Sequence, residues 1–135
     1  MSDYKKRNKR GMALLKKMGR EELMLDQKAL YPDLYEMSVG HLFGDVWARP
    51  GLSLRDRQLV TLAANIALAR PSGNYSHYRS AKHIGITHKE ICEVMIQVGH
   101  YAGWPTVSNA VRQYTAVLEE EKEIKAGKKR KPTLV

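Results

Sequence analysis

Cysteine is almost missing from this chain: Cys92 is the only one in 135 residues. A lone thiol excludes an intrachain disulfide framework, and with it any Cys-x-x-Cys redox pair or cysteine-rich zinc site. Long apolar runs are missing too. No window approaches the roughly eighteen consecutive apolar residues that a membrane-spanning helix needs. The basic opening "MSDYKKRNKR" leads into no apolar signal-peptide region. These absences point to a soluble protein of a reducing compartment, the cytoplasm. Period-two alternation is absent over any useful length, so strands are not expected. No pair among His41, His77, His83, His88 and His100 has a metal spacing such as His-Glu-x-x-His, and no metal site is expected.

What the chain has is positive charge, +9 net, and its location decides its meaning. Residues 1–20 hold eight Lys/Arg against one acid, and residues 125–132 hold five against none. The stretch between, 21–124, keeps ten basic and thirteen acidic residues, so the basicity belongs to the ends. Basic ends read as solvated segments that bind anions without selectivity. No base-reading motif accompanies the charge, and a nucleic-acid partner is not expected. The length suits one domain with a real core. The division expected is a basic N-terminal helix or arm over 1–20, a helical domain over 21–124, and a basic disordered tail over 125–135.

The periodic signals are helical throughout. A first helix is expected over Tyr4–Met18, with Met12, Leu14, Leu15 and Met18 on its apolar side and Gly11 weakening it. One or two short helices should precede Pro50. Ser53-Leu54-Arg55-Asp56 resembles a capping box with the shorter Asp. It opens "LVTLAANIALA", too continuously apolar for a surface helix, which implies burial within a bundle or between subunits. Asn74 is a plausible N-cap for a helix running to about Ile84 and stopping at Gly85. Thr87-His88-Lys89-Glu90 is a second capping box, starting a helix that ends at Gly103. Pro105 then sits in the first turn of a last helix faced by Val107, Ala110, Val111, Tyr114 and Leu118. The fold class is all-α.

Several residues could carry chemistry. His77, Ala81 and Ile84 fall at i, i+4 and i+7, one inward stripe. A histidine near a helix N-terminus can exchange protons near neutral pH, and the helix end beside it favours an anion. The same position also suits a core histidine satisfied by a carbonyl. Arg49, Arg55, Arg57, Arg70 and Arg79 gather near the ends of the central helices, where their rigid forks could clamp carboxylates. The corner Gly103-Trp104-Pro105 either walls a pocket or simply turns the chain with an anchored aromatic. Cys92 reads as an inert thiol.

The strings "FGDVWARPGLSLRDRQLVTLAANIALAR" and "SHYRSAKHIGITHKEICEVMIQVGHYAGWPTVSNA" resemble the carboxymuconolactone decarboxylase family. That family lies within the larger superfamily that includes the alkylhydroperoxidase AhpD proteins. The likeness runs from about Leu42 to Ala110 and rests on W-x-R-P-G-L, the helix start at Arg57, His77, G-x-T-x-x-E and Y-A-G-x-P, in that order. Against the peroxidase branch, whose motif is Cys-x-x-Cys-x-x-x-His with a glutamate upstream, only His77 survives. The cysteine positions fall on Arg70 and Gly73 and the glutamate position on Gln58. Without a resolving pair, thiol peroxidase chemistry is excluded. Arg70 instead matches an arginine that the decarboxylases tend to have. The "ARPSGNYSH" turn departs from the acidic flavour common before that histidine.

The resemblance implies an AhpD-like helical bundle assembling as trimers or hexamers, and a cofactor-free lyase acting on a small lactone or keto acid. On that implication His77 is general acid and oxyanion partner, and Arg57 and Arg70 hold carboxylates, with Arg49 third. Trp47, Tyr101 and Trp104 are pocket walls. The reaction expected is decarboxylation of a γ-carboxylated lactone acid, as in protocatechuate and β-ketoadipate catabolism. One alternative stands beside it, a non-catalytic scaffold whose basic ends meet an anionic partner; a peroxide-reducing AhpD-like protein comes last, for want of the cysteine pair.

Overall fold

The structure is a computed structural model that describes residues 2–128, and among them it is helical without a strand. The chain divides into two compact units, Met1–Arg57 and Gln58–Val135. Of the basic tail expected over 125–135, residues 129–135 lie outside the described residues.

In the first unit, α1 (Ser2–Lys17), α2 (Glu21–Leu30) and a short α3 (Pro32–Tyr35) lead into a π-helix, Glu36–Trp47. Pro32 occupies the first turn of α3, where its missing N–H costs nothing. Buried positions in the π-helix come as pairs four apart, Val39-Gly40 and Phe43-Gly44, and then Trp47. That spacing suits the wider i→i+5 turn. The contact with α1 runs through glycine. A Cβ added at Gly11 would strike the Val39 carbonyl, and one at Gly44 would strike the Arg7 carbonyl. Gly11 therefore gives up helix propensity to let two backbones touch. Leu15, Met18, Val39 and Phe43 close the core around that contact.

The first basic stretch is not a loose tail. Arg7 and Arg10 reach Asp45 at 2.6 and 2.9 Å, His41 reaches the same carboxylate at 3.3 Å, and Asn8 donates to Glu36 at 2.9 Å. The Arg7 hydrogen bond, reinforced by His41 and Arg10, holds the Asp45 carboxyl below the usual carboxylate range.

The second unit holds α4 (Leu54–Ala67) from Gln58 onward, α5 (Tyr75–Ala81), a 3₁₀ turn (Lys82–Ile84), α6 (His88–Ala102) and α7 (Trp104–Lys125). Ser53 Oγ accepts from the Asp56 N–H at 3.0 Å, the N-capping half of the box expected there. At Thr87 both halves are present: Thr87 Oγ1 accepts from the Glu90 N–H, and the Glu90 carboxylate from the Thr87 N–H. Gly85 adopts φ 79° and ends the 3₁₀ turn, as a C′ glycine does.

Within the single chain α4 buries one face: Gln58, Leu62 and Ile66 face inward at four-residue steps, while Val60 and Leu68 are exposed, which leaves burial between subunits as the alternative of the two expected. The enclosed helix is α5, where Ser76, Tyr78, Ser80 and Ala81 are all buried. Two expectations need correction. Asn74 stands at the N-cap position without capping, because its side chain turns inward to accept from Asn65 Nδ2 at 3.2 Å. The inner face of α7 uses Val117 and not Val111, and the helix continues to Lys125. Glu120, buried there, pairs with Arg79 of α5 at 2.8 Å and draws the acidic stretch into the fold.

Candidate active site

His77 lies in the first turn of α5, half-buried, and its anchor is an amide. Gln58 of α4 is fully buried. Its Nε2 donates to the His77 carbonyl at 2.6 Å, and its Oε1 lies 3.2 Å from His77 Nδ1. One side chain thus grips both backbone and ring of the histidine. Gln58 heads the apolar stripe continued by Leu62 and Ile66, so α4 packing fixes where the amide stands.

The turn between α4 and α5 carries Arg70, and amides hold it too. The Arg70 carbonyl accepts from Gln113 Nε2 of α7 at 2.6 Å and from Asn109 Nδ2 at 3.4 Å. The Asn65–Asn74 bond ties the end of α4 to the start of α5 across the same turn. Just before Arg70, Ala69 sits at φ 49°, the left-handed region. The Arg70 N–H returns to Asn65 O and the Ala69 N–H to Ile66 O, a Schellman ending with alanine where glycine is usual. Arg70 leaves this fixed backbone exposed to solvent.

Tyr78 does not compete with His77 as an acid. It is buried against Tyr114, ring centroids 5.1 Å apart, and burial pushes its phenol far above the ordinary range. Tyr114 in turn stacks on His88, whose Nδ1 lies 2.9 Å from the Tyr114 hydroxyl. The two tyrosine rings belong to the core, and His88 caps them from the exposed side.

The remaining candidates divide between the units. In the second, Trp104 is half-exposed, meets His100 edge-on at 5.9 Å and lies over Gly99. A Cβ at Gly99 would meet the Trp104 ring and Val107, so the glycine is what lets the corner fold back onto α6. Tyr101 beside it is 86% exposed, available to cover a ligand and covering nothing within its unit. In the first unit, Arg57 donates to the Arg49 carbonyl at 3.0 Å, which brings those two arginines together. Trp47 is buried against Phe43, centroids 5.6 Å apart. A hollow of about 400 Å³ in this unit is lined by Tyr4, Arg7, Asp33, Glu36, Met37 and His41 and contains none of the seven candidates. Its strongest charges are engaged within the unit, Arg7 with Asp45 and Glu36 with Asn8. Among the described residues no cluster of three or more His, Cys, Asp or Glu could hold a metal ion.

Sequence reasoning named His77 and Arg70 as candidates but missed the side chains that bond to them. Gln58 was visible only as the place of a missing glutamate, and Gln113 not at all. The available signal was an amide standing on an otherwise apolar helical stripe.

An all-helical chain with one anchored histidine and a tethered arginine turn, lacking a cysteine pair, defines a class within a known superfamily. The family model for the carboxymuconolactone decarboxylase family matches residues 32–116, and the chain belongs to that family. Among characterised relatives it is 35% identical over 78 residues to the 4-carboxymuconolactone decarboxylase of Acinetobacter baylyi, covering 58% of each chain. It is also 35% identical over 76 residues to the nitrosuccinic acid decarboxylase of Metarhizium robertsii, covering 56% of this chain and 53% of that one. The chain thus spans less than two thirds of either relative's length.

Proposed function

We propose that this protein is a cofactor-independent decarboxylase of a small dicarboxylic acid that carries its own electron sink, a γ-carboxylated lactone of aromatic catabolism being the first candidate. The names of the two relatives support the choice through chemistry. In 4-carboxymuconolactone the departing carboxylate sits on a carbon joined through C=C to the lactone carbonyl. In nitrosuccinic acid it sits beside a nitro group. Either molecule can take up the electron pair that CO2 leaves behind, as a dienolate or a nitronate, and each keeps a second carboxylate by which it can be held.

In the lactone reaction the C–CO2 bond breaks and its electron pair moves through the C=C bond onto the lactone oxygen. A proton then adds at the carbon α to that carbonyl, giving an enol-lactone. The protein must supply a donor to the developing oxyanion, a proton for carbon, and cations for the second carboxylate. His77 supplies the proton and the oxyanion contact, Arg70 and Arg57 hold carboxylate, and Arg49 supports Arg57. Trp104, Tyr101 and Trp47 would exclude water, favouring loss of charge as CO2. The observation that carries this reading is the double grip of Gln58 on His77: a ring is held in place, in a protein two of whose relatives are named as decarboxylases of such acids. The same proposal includes a cytoplasmic homo-oligomer, a trimer or hexamer, that covers the exposed Val60 and Leu68 of α4.

The test is turnover. Purified protein given 4-carboxymuconolactone should release one CO2 per enol-lactone formed, with or without a chelator, and sedimentation should show more than one subunit. No consumption of that lactone or of nitrosuccinate at micromolar enzyme would overturn the assignment.

A further inference from the structure

The two bonds of Gln58 contain more information than anchorage. A backbone carbonyl only accepts, so the Gln58 atom 2.6 Å from His77 O has to be the NH₂. The opposite assignment would press two acceptor oxygens together. The Gln58 atom facing the ring is therefore Oε1, which also only accepts. At 3.2 Å its partner, His77 Nδ1, must carry the hydrogen. The backbone of α5 thus dictates the amide's orientation, and the amide dictates the ring's tautomer. Burial enforces the chain of command: a fully buried amide with either bond reversed would hold an unmatched polar group away from water.

We propose that Gln58 is a positioning residue that locks His77 with hydrogen on Nδ1, so that proton exchange with substrate takes place at Nε2. This rests on His77 being the proton donor, and it adds which nitrogen acts and what selects it. A free imidazole in water favours hydrogen on Nε2, so the lock inverts the default. The neutral ring then offers a lone pair at Nε2, and a proton given up there comes from the imidazolium, which returns to the Nδ1–H form after donation. Carbon gains that proton, the dienolate loses its charge, and the histidine ends neutral. Each turnover would be completed by proton uptake from water at Nε2. Glutamate at position 58 could accept from Nδ1–H equally well but could not donate to the His77 carbonyl unless protonated. Glutamine satisfies both without placing a charge in the core.

The experiment is ¹⁵N NMR of the histidine ring nitrogens in the full-length protein above the titration range, with His77 assigned by difference from His77→Gln. The expected spectrum has a protonated-type Nδ1 and an unprotonated-type Nε2 for His77. Gln58→Leu should return the ring to Nε2–H and lower kcat by roughly tenfold to hundredfold, with KM changed less than about threefold. Gln58→Met removes the acceptor opposite Nδ1 while keeping the length of the side chain, and should return the ring to Nε2–H in the same way, which guards against a Gln58→Leu chain that does not fold. Hydrogen on Nε2 in the wild-type protein, or an unchanged tautomer in folded Gln58→Leu or Gln58→Met, overturns the proposal whatever the activity. An Nδ1–H ring in a protein that turns over neither acid would leave the lock standing and remove the decarboxylase reading.

Discussion

The two units of this chain bury different things. Among the described residues, the buried polar side chains are Gln58, Asn74, Ser76, Ser80, Thr106, Gln113 and Glu120, all of them in the second unit. Among its described residues the first unit has no polar side chain buried as a whole, only single buried atoms on residues such as Arg7, Asn8, Gln27 and Glu36. Its helices meet instead through Gly11, Gly40 and Gly44, and its charges meet at partly exposed Asp45. Stability alone does not explain the contrast, since a buried amide at best recovers the cost of leaving water. The first unit makes its core without a wholly buried polar residue. In the second, three of the seven act on the candidate site: Gln58 on His77, Gln113 on Arg70, and Asn74 on the turn between them. Polar side chains buried as a whole, and bonded, gather around His77 and the turn that carries Arg70.

The sharpest way to break that comparison is to remove the residue it serves. His77→Ala should lower kcat on the true substrate by roughly 10²–10⁴, and His77→Gln should restore shape without restoring rate. Stability should fall far less, because the ring is only half-buried. If His77 is merely a satisfied core group, the pattern reverses: a loss of about 1–3 kcal/mol with normal activity per folded subunit. Thermal melts and kcat on one His77→Ala preparation distinguish the two.

Next in size is the glycine contact of the first unit. In an ordinary helix Gly→Ala gains about 1 kcal/mol, but at Gly11 the new Cβ meets the Val39 backbone, which cannot swing aside. Gly11→Ala should therefore destabilise by about 2–3 kcal/mol. Gly99→Ala, whose Cβ meets only the side chains of Val107 and Trp104, should cost less. The two tryptophans allow separate readings, since Trp47 lies in the first unit and Trp104 in the second. Urea unfolding followed by Trp47 in a Trp104→Phe background would show the Gly11 effect. A stabilised Gly11→Ala would mean that the close contact does not hold α1 in place.

These glycines also show what was readable in the sequence. Helix period, the Thr87 capping box, the Gly85 stop and the Gly103-Trp104-Pro105 corner are local signals, and the structure follows them. Gly11 counted against its helix because propensity is local, whereas its purpose depends on a carbonyl 28 positions away in the sequence. Val60 and Leu68 made α4 look buried all round, but composition records apolarity and not whether a bundle or a second subunit is to cover it. His77 was visible from its stripe and its motif. Its partner was not, because a glutamine has no spacing rule, and only folding places Gln58 against a carbonyl and a ring at once.

A smaller effect tests the turn that carries Arg70. Ala69 holds a left-handed conformation that costs an L-residue about 1 kcal/mol and costs glycine nothing. Ala69→Gly should raise stability by about 0.5 kcal/mol, the relief being offset in part by the more flexible unfolded chain. If the turn's rigidity positions Arg70, that stabilised variant should show a higher KM for a dicarboxylate with kcat little changed. Unaltered KM would separate the turn's strain from the site.

The smallest effect belongs to the first unit and concerns pH. Arg7 above all, with His41 and Arg10, holds the Asp45 carboxyl below its ordinary value in the folded chain, while in the unfolded chain it titrates near 4. Between those values the unfolded state binds the extra proton, so stability rises with pH across that window. The contribution is complete above the unfolded value and is lost as pH falls through the folded one. Asp45 is partly exposed and salt screens its pairs, so the slope should be shallow and flatten further in high salt. Urea midpoints read from Trp47 at a series of acid pH values should show it in the wild-type unit. Asp45→Asn should remove that slope while matching the wild type at the acid end, where Asp45 is already neutral. An identical acid slope in Asp45→Asn would mean that the charges of the first unit, unlike the amides of the second, hold nothing in place.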